Sequence, residues 1–202
     1  MNTQNHSKLV LASSSRYRTE LLGRILPHFS SCSADIDESL TIDEPAYSLA
    51  ERLARQKALK VAQQYPDHWV LGCDQVAILN TNSETQILGK PGSFEKATVQ
   101  LQACSGKTVE FYTACSLLCE DTGEQHDFSD SYWLTFKHLE PATIYRYLQR
   151  EKPYDCAGSI KSEGLGVALI ERYQGDDPST LIGLPLIKLV DQLESIGIDI
   201  LG

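Results

Sequence analysis

The spacing of apolar side chains divides this chain into alternating strand and helix segments. The run Leu9, Val10, Leu11 and Ala12 predicts a strand over 8–12 that ends in Ser13-Ser14-Ser15. Leu21, Leu22, Ile25 and Leu26 then recur at helical spacing, which predicts a helix over 16–26 closed by Pro27. A short strand-like stretch, 29–34, leads into the acidic run Asp35-Ile36-Asp37-Glu38. A longer helix is expected over 47–64, where Leu49, Leu53, Lys57 and Lys60 fall three and four apart before Pro66. Lys57 shares a stripe with Leu53, so it is either a lysine snorkelling at the core edge or a cation placed for a purpose.

Trp69, Val70 and Leu71 predict a buried strand that meets Gly72-Cys73-Asp74-Gln75, with a second strand over 76–79 beyond it. Asp74 is thus a carboxylate inside an apolar run, where an isolated charge is costly to bury unless it is paired or functional. Gly89-Lys90-Pro91-Gly92 reads as a turn carrying one cation, followed by a helix over 93–104 and a stop at Gly106. Two alternating segments, 108–119 and 128–137, flank Asp121-Thr122-Gly123 and predict an antiparallel pair. A helix over 141–149 follows, with Pro in its first turn. Residues 156–166 are rich in Gly and Ser, have no period, and form a candidate ligand loop that matches neither a Rossmann fingerprint nor a P-loop. A strand over 167–171 and a helix over 185–195, stopped by Gly197, complete the pattern. Two adjacent central strands without a helix between them point to an α/β fold with a mixed sheet.

The 202 residues suit one domain, and 42% hydrophobic with 22% charged residues is a globular composition. The 18 Lys+Arg against 27 Asp+Glu leave a net charge of −9, which argues against broad attachment to nucleic acid or an anionic membrane. Any anionic ligand must then be held locally. The polar stretch 1–7 and the short apolar run after it do not resemble an export signal, and no window approaches a membrane span, so a cytoplasmic location is expected. The six cysteines include no Cys-x-x-Cys pair and are expected as free thiols, with neither a metal nor a disulfide between Cys115 and Cys119. No Gly-x-Ser-x-Gly elbow is present, and the five histidines are read as surface or structural residues.

What remains is a set of cations, Arg18, Lys57 and Lys90, and a set of carboxylates, Asp37, Glu38 and Asp74. The serine turn adds a helix N-terminus, where free N–H groups and the helix dipole favour an anion. Together these suit metal-assisted attack on a phosphate: the cations bind phosphate oxygens, and the carboxylates hold a divalent ion or take a proton from water. Dispersed charges of an ordinary soluble enzyme would give a similar inventory.

Leu-Ala-Ser13-x-Ser15-x-x-Arg18-x-x-x-Leu22, the Asp37-Glu38 pair, Arg52-Leu53-Ala54-x-x-Lys57-Ala58, Gly72-x-Asp74-Gln75-Val76 and Gly89-Lys90-Pro91 occur in this order and spacing. With the late loop from Cys156 to Gly166, they resemble the Maf family of nucleotide pyrophosphatases over nearly the whole chain. Gln75 after Asp74, and Lys-Ser-Glu163 in the late loop, resemble its 7-methyl-GTP pyrophosphatase branch rather than the dTTP/UTP branch. The resemblance implies an elongated mixed sheet with flanking helices, in two lobes around a central cleft, similar to the Maf and ITPase folds and formed by one bilobed domain over 1–202. It implies hydrolysis of a nucleoside triphosphate to the monophosphate and pyrophosphate, with Asp74 as catalytic base or metal ligand. Glu38 would share a divalent cation, Mg or Mn, with Asp74. Ser13, Ser15, Arg18, Lys57 and Lys90 would bind phosphate, and Tyr17, Gln75 and Glu163 would set base specificity. A homodimer is also implied. The alternatives are the same chemistry on another nucleotide, or a nucleotide-binding regulator of cell division without turnover. Two departures stand out: Arg16 replaces the usual Pro, and Tyr17 replaces the branch's larger Trp.

Overall fold

In the computed structural model, residues 8–81 and 84–201 are described. The elements run β1 (Leu9–Ala12), α1 (Arg16–Ile25), β2 (Ser30–Ser31), α2 (Ala46–Ala62), β3 (Trp69–Asn80), β4 (Thr85–Leu88), α3 (Phe94–Cys104), β5 (Thr108–Cys119) and β6 (Glu124–Phe136). Then come α4 (Pro141–Glu151), β7 (Ile170–Gln174) and α5 (Leu186–Ser195), with 3-10 turns at Ala157–Ser159, Leu165–Leu169 and Pro178–Ile182. The strands form one seven-stranded mixed sheet in the order β2-β1-β3-β5-β6-β7, with β4 also on β3. β1 runs parallel to β2 and β3, and the remaining pairs are antiparallel.

The expected pair of strands around Gly72–Gln75 is a single 12-residue strand. The reason lies across the sheet, because β5 pairs with β3 without interruption from Trp69 to Leu79 and carries the backbone through the polar residues. The opposite edge of β3 is divided. β1 pairs with residues 69–72 and β4 with residues 77–80, so among the described residues no strand lies beside 73–76 there. Asp74 and Gln75 sit in this gap.

Two other expectations change, and one strand is new. The stretch 29–34 contracts to a two-residue strand, and the short β4 carries too little pattern to be read from sequence. The strand expected over 167–171 starts at Ile170. Before it, Gly166 N–H bonds to Lys161 O at 3.1 Å and Val167 N–H to Gly164 O at 3.5 Å, so the chain closes local turns instead of a ladder.

Two apolar clusters form the core on one face of the sheet. At one end Leu9, Leu11, Leu71 and Cys73 pack with Leu21 and Leu22 of α1 and Leu189 and Leu193 of α5. At the other, Ala77, Leu79 and Phe111 pack with Leu101 of α3 and Leu148 of α4. Side chains alternate along a strand, so Gln75 falls between Cys73 and Ala77, at the junction of the two clusters. The opposite face is covered by α2, whose Leu49, Ala50, Leu53 and Ala54 meet Val76, Ile78 and Ala114. Asp74 shares that face and looks toward α2. All six cysteines are free thiols. Among the described residues no helix is long and apolar enough to cross a membrane.

Candidate active site

A cleft of about 870 Å³ opens at the gap in β3. It gathers all ten residues singled out from the sequence: Ser13, Ser15, Arg18, Lys57 and Lys90 for phosphate, Glu38 and Asp74 as carboxylates, and Tyr17, Gln75 and Glu163 for the base. Asp37 does not line it. Its carboxylate accepts from Ser39 N at 2.9 Å and Ser39 Oγ at 2.6 Å, which makes it the cap of a local turn.

The centre of the cleft is an ionic triad. Lys57 Nζ donates to Asp74 Oδ1 at 2.6 Å and lies 2.7 Å from Glu38 Oε1. Lys57 and Asp74 are both buried, at 7% and 8% exposure, so each depends on the other to offset desolvation. Glu38 reaches in from the exposed side. Partial burial pushes its carboxyl up, but the hydrogen bond from Lys57 and the charges of Lys57, Lys90 and Arg18 prevail and hold it below the ordinary range. Lys57 is therefore an ammonium spanning the two carboxylates expected from the sequence to hold a metal, and its bonds go to them.

Gly72 explains how a helix residue reaches a strand carboxylate. A Cβ there would lie 2.2 Å from Ala54 O and 2.6 Å from Ala58 N, both backbone atoms of α2. Only a glycine lets α2 lie this close to β3, and Ala54 and Ala58 continue the small surface. The close approach sets Lys57 directly over Asp74, two residues along the strand.

The anion end is built on the start of α1. Ser15 is the N-cap and accepts from Arg18 N at 3.4 Å, while Ser13 Oγ accepts from Ser15 N at 3.1 Å. Both hydroxyls shape the turn and retain a proton to donate. Arg18 Nε donates to Gly183 O at 2.8 Å, which fixes the guanidinium by one edge and leaves its other N–H groups for a ligand. Gly183 has φ +102°, a left-handed conformation suited to glycine. Lys90 is exposed at the rim. Arg16 lies at the cleft's exposed margin with its guanidinium paired to Glu20 at 2.7 Å, so the unusual residue in the first motif is not part of the buried ion pair at the centre.

The base end has a different character. Burial first, then contact with the neighbouring Cys156 thiol and the carboxylates of Asp155 and Glu163, pushes the Tyr17 hydroxyl up to about 12, so it is a neutral phenol at physiological pH. Lys161 Nζ sits 5.6 Å from the centre of that ring and 3.7 Å from Glu151 Oε1. The ring already receives a cation. Glu163 is exposed and takes a bond from Ser162 Oγ at 3.2 Å, while Lys161 pairs with Glu151 instead.

Sequence reasoning missed the residues that hold the readers in place. Gln75 Nε2 donates to Thr113 Oγ1 at 3.0 Å and to Thr180 O at 2.8 Å, and Thr113 Oγ1 donates to Thr180 O at 2.9 Å. Thr113 and Thr180 are wholly buried. A Thr in the middle of an apolar strand was the one visible signal, and its partner lies far along the chain.

Oxygen donors such as Asp74 and Glu38 suit a hard divalent cation. Among the described residues no group of three or more His, Cys, Asp or Glu could hold a metal. Two carboxylates are nevertheless enough for an ion such as Mg²⁺ that arrives with substrate phosphates and keeps part of its water.

A model of the Maf-like protein family matches residues 8–196. The chain is 50% identical to a 7-methyl-GTP pyrophosphatase of Pseudomonas savastanoi over 95% of this chain and 98% of that protein. It is 49% identical to one of Nitrosococcus oceani over 96% of this chain and 95% of that protein. Among solved structures, a HAM1 protein from Coxiella burnetii aligns with 65% of this chain and 73% of its own at 14% identity and a TM-score of 0.47. With its motifs gathered in one cleft and a family match over nearly its whole length, the chain belongs to the Maf family.

Proposed function

We propose that this protein is a nucleoside triphosphate pyrophosphatase that hydrolyses the α–β anhydride of 7-methyl-GTP, releasing 7-methyl-GMP and pyrophosphate. One observation carries the reading. A buried carboxylate, Asp74, is held by Lys57 in a break in the sheet edge, in the same cleft as Arg18 and the N-terminus of α1. The names of the Pseudomonas and Nitrosococcus relatives support the choice of nucleotide.

In the proposed mechanism the phosphates lie against the first turn of α1, where Ser13, Ser15 and the free N–H groups donate and Arg18 and Lys90 supply charge. Asp74 orients a water toward the α-phosphorus and takes its proton as the new P–O bond forms and pyrophosphate leaves. Lys57 holds Asp74 in place and keeps Glu38 beside it. Asp74 and Glu38 would also hold a divalent ion, Mg or Mn, which supplies charge neutralisation at the phosphates when bound. At the base end, Tyr17 offers a stacking face and Glu163 a carboxylate. N7-methylation leaves a delocalised positive charge on guanine, which favours an aromatic face with carboxylates nearby.

The site thus takes a small nucleotide rather than a nucleic acid, in keeping with the net charge of −9. The cytoplasm and a homodimer belong to the same proposal, the latter checked by light scattering of the purified chain. Pyrophosphate release measured over standard and methylated nucleoside triphosphates, with and without Mg²⁺ or Mn²⁺, tests the function. The expected result is turnover that favours 7-methyl-GTP and disappears on exhaustive chelation. Tight binding without release would instead favour a regulator, and a preference for UTP or dTTP would move the protein to another base within the same chemistry.

A further inference from the structure

The amide of Gln75 is held in one orientation by chemistry alone. Two of the acceptors around its Nε2 are backbone carbonyls, Thr180 O at 2.8 Å and Leu181 O at 3.3 Å. A carbonyl oxygen has no proton to give, so only the NH₂ side of an amide can face them. Thr113 Oγ1, at 3.0 Å, completes the set, and it can only accept there because its own proton is directed to Thr180 O at 2.9 Å. Both protons of Nε2 are thereby committed to the protein. Oε1 is the remaining polar atom of a half-buried side chain that lines the cleft.

The holding turn is itself anchored. Thr180 Oγ1 donates to Asp130 Oδ2 at 2.6 Å, and Lys188 Nζ meets Asp130 Oδ1 at 2.8 Å. The buried Asp177 accepts from Ser179 N and from Ile187 N, each at 2.8 Å, which ties the turn to the start of α5. The next residue after the turn, Gly183, holds Arg18 through its carbonyl at 2.8 Å. One short segment therefore sets the base reader and the phosphate clamp relative to each other.

We propose that Thr113 and the Pro178–Ile182 turn are positioning residues that lock Gln75 as an acceptor, so that the cleft selects a base presenting N–H donors. Guanine offers N1–H and its exocyclic amine along one edge, whereas adenine offers an acceptor, N1, in the matching place. An acceptor fixed in the protein rewards the first and opposes the second. This deepens the proposed nucleotide reading and rests on it for placing the base beside Gln75, but it concerns guanine against adenine and not methylation.

The test compares kcat and KM of the purified full chain on 7-methyl-GTP, GTP and ATP. The wild type should favour both guanine nucleotides over ATP. Thr113→Val, which keeps the shape and removes the hydroxyl, should lower kcat/KM on both guanine nucleotides about fivefold to tenfold, the size of one hydrogen bond. The loss should fall in KM, with ATP changed less than about twofold, and Thr113→Ser should restore the preference. Gln75→Leu should abolish the preference, and adding Thr113→Val to it should lower the guanine rates no further. If valine at 113 does not fold, Gln75→Leu on the same panel decides. Equal loss on all three nucleotides in Thr113→Val, or an unchanged guanine-to-adenine ratio in Gln75→Leu, overturns the proposal, as does a wild type that favours ATP. A wild type that turns over GTP as well as 7-methyl-GTP removes the methylated-base reading and leaves this one standing.

Discussion

The two ends of the cleft are built by opposite means. At the catalytic end, a helix lies directly on a strand and Lys57 meets Asp74 across only 17 residues of chain. At the base end, Gln75 is held from 105 residues away by a turn outside the regular elements, and the residue after that turn, Gly183, holds Arg18 of the anion end from 165 residues away. The first arrangement depends on small side chains and a close backbone approach. The second depends on hydrogen-bond acceptors whose identity is fixed by the backbone. In the proposed function the catalytic end thus rests on the packing of α2 against β3, and the reading of the base rests on a turn whose Thr180 and Leu181 are themselves buried.

The contrast is broken most severely at Asp74. Asp74→Asn keeps the shape and removes the proton acceptor, and kcat should fall about 10²–10⁴-fold on every nucleotide. Activity above a tenth of wild type would remove Asp74 from the catalytic role.

Next is Gly72→Ala, because the added Cβ must push backbone atoms of α2 away from β3. Denaturant unfolding should show a loss of about 1–3 kcal/mol, with turnover lowered on all nucleotides alike as Lys57 and Asp74 separate. A drop confined to one base would contradict the division between the ends.

Glu163→Ala acts at the other end. It should lower kcat/KM for 7-methyl-GTP about tenfold or more, the scale of a charged hydrogen bond, and leave UTP nearly unchanged. Equal losses on both would mean that Glu163 serves the loop, to which its bond with Ser162 already ties it.

Lys161→Gln sharpens the comparison in the opposite direction. The Lys161 ammonium lies over the Tyr17 ring, so a cationic base stacking there meets a like charge. The variant should lower KM for 7-methyl-GTP about twofold to fivefold, in line with an exposed cation–π contact, without changing KM for neutral GTP. No difference between the two nucleotides would mean that the base does not use that face.

The smallest effect is acid sensitivity at the entry to α2. A hydrogen bond from Arg52, 2.6 Å away, helped by Thr41 N–H, holds the Glu44 carboxyl down to about 2. Because this value is depressed, its stabilisation is in place above the unfolded value of about 4.3 and is lost as pH falls toward about 2. Thermal unfolding followed down that range should decline less steeply in Arg52→Gln than in the wild type. Parallel curves would show that the pair contributes nothing.

Some features were legible at once in the sequence because they are local. The helix over 93–104 is present as α3 with Ser93 as its cap, the pair expected over 108–119 and 128–137 is an antiparallel hairpin whose second strand starts earlier, at Glu124, and Ser15 caps α1. The ten candidate residues lie in short motifs, and the fold brings them to one cleft. Their relations to one another were hidden. Asp37 and Glu38 look alike in sequence, yet one caps a turn and the other meets Lys57.

By itself the sequence determined which segments could be helix or strand, which residues could carry charge to a phosphate, and the family they resemble. Periodicity, caps and motifs are properties of neighbouring residues, so a linear reading reaches them. The tertiary structure alone decided that β3 is one strand with an open stretch at Asp74, since that depends on β5, β1 and β4 as its neighbours. It alone decided that Lys57 spans two carboxylates and that Gln75 turns its amide nitrogen to Thr113 and the Thr180 carbonyl. A side chain's partner, and with it the proton it can still give or accept, is set by what the folded chain places opposite it.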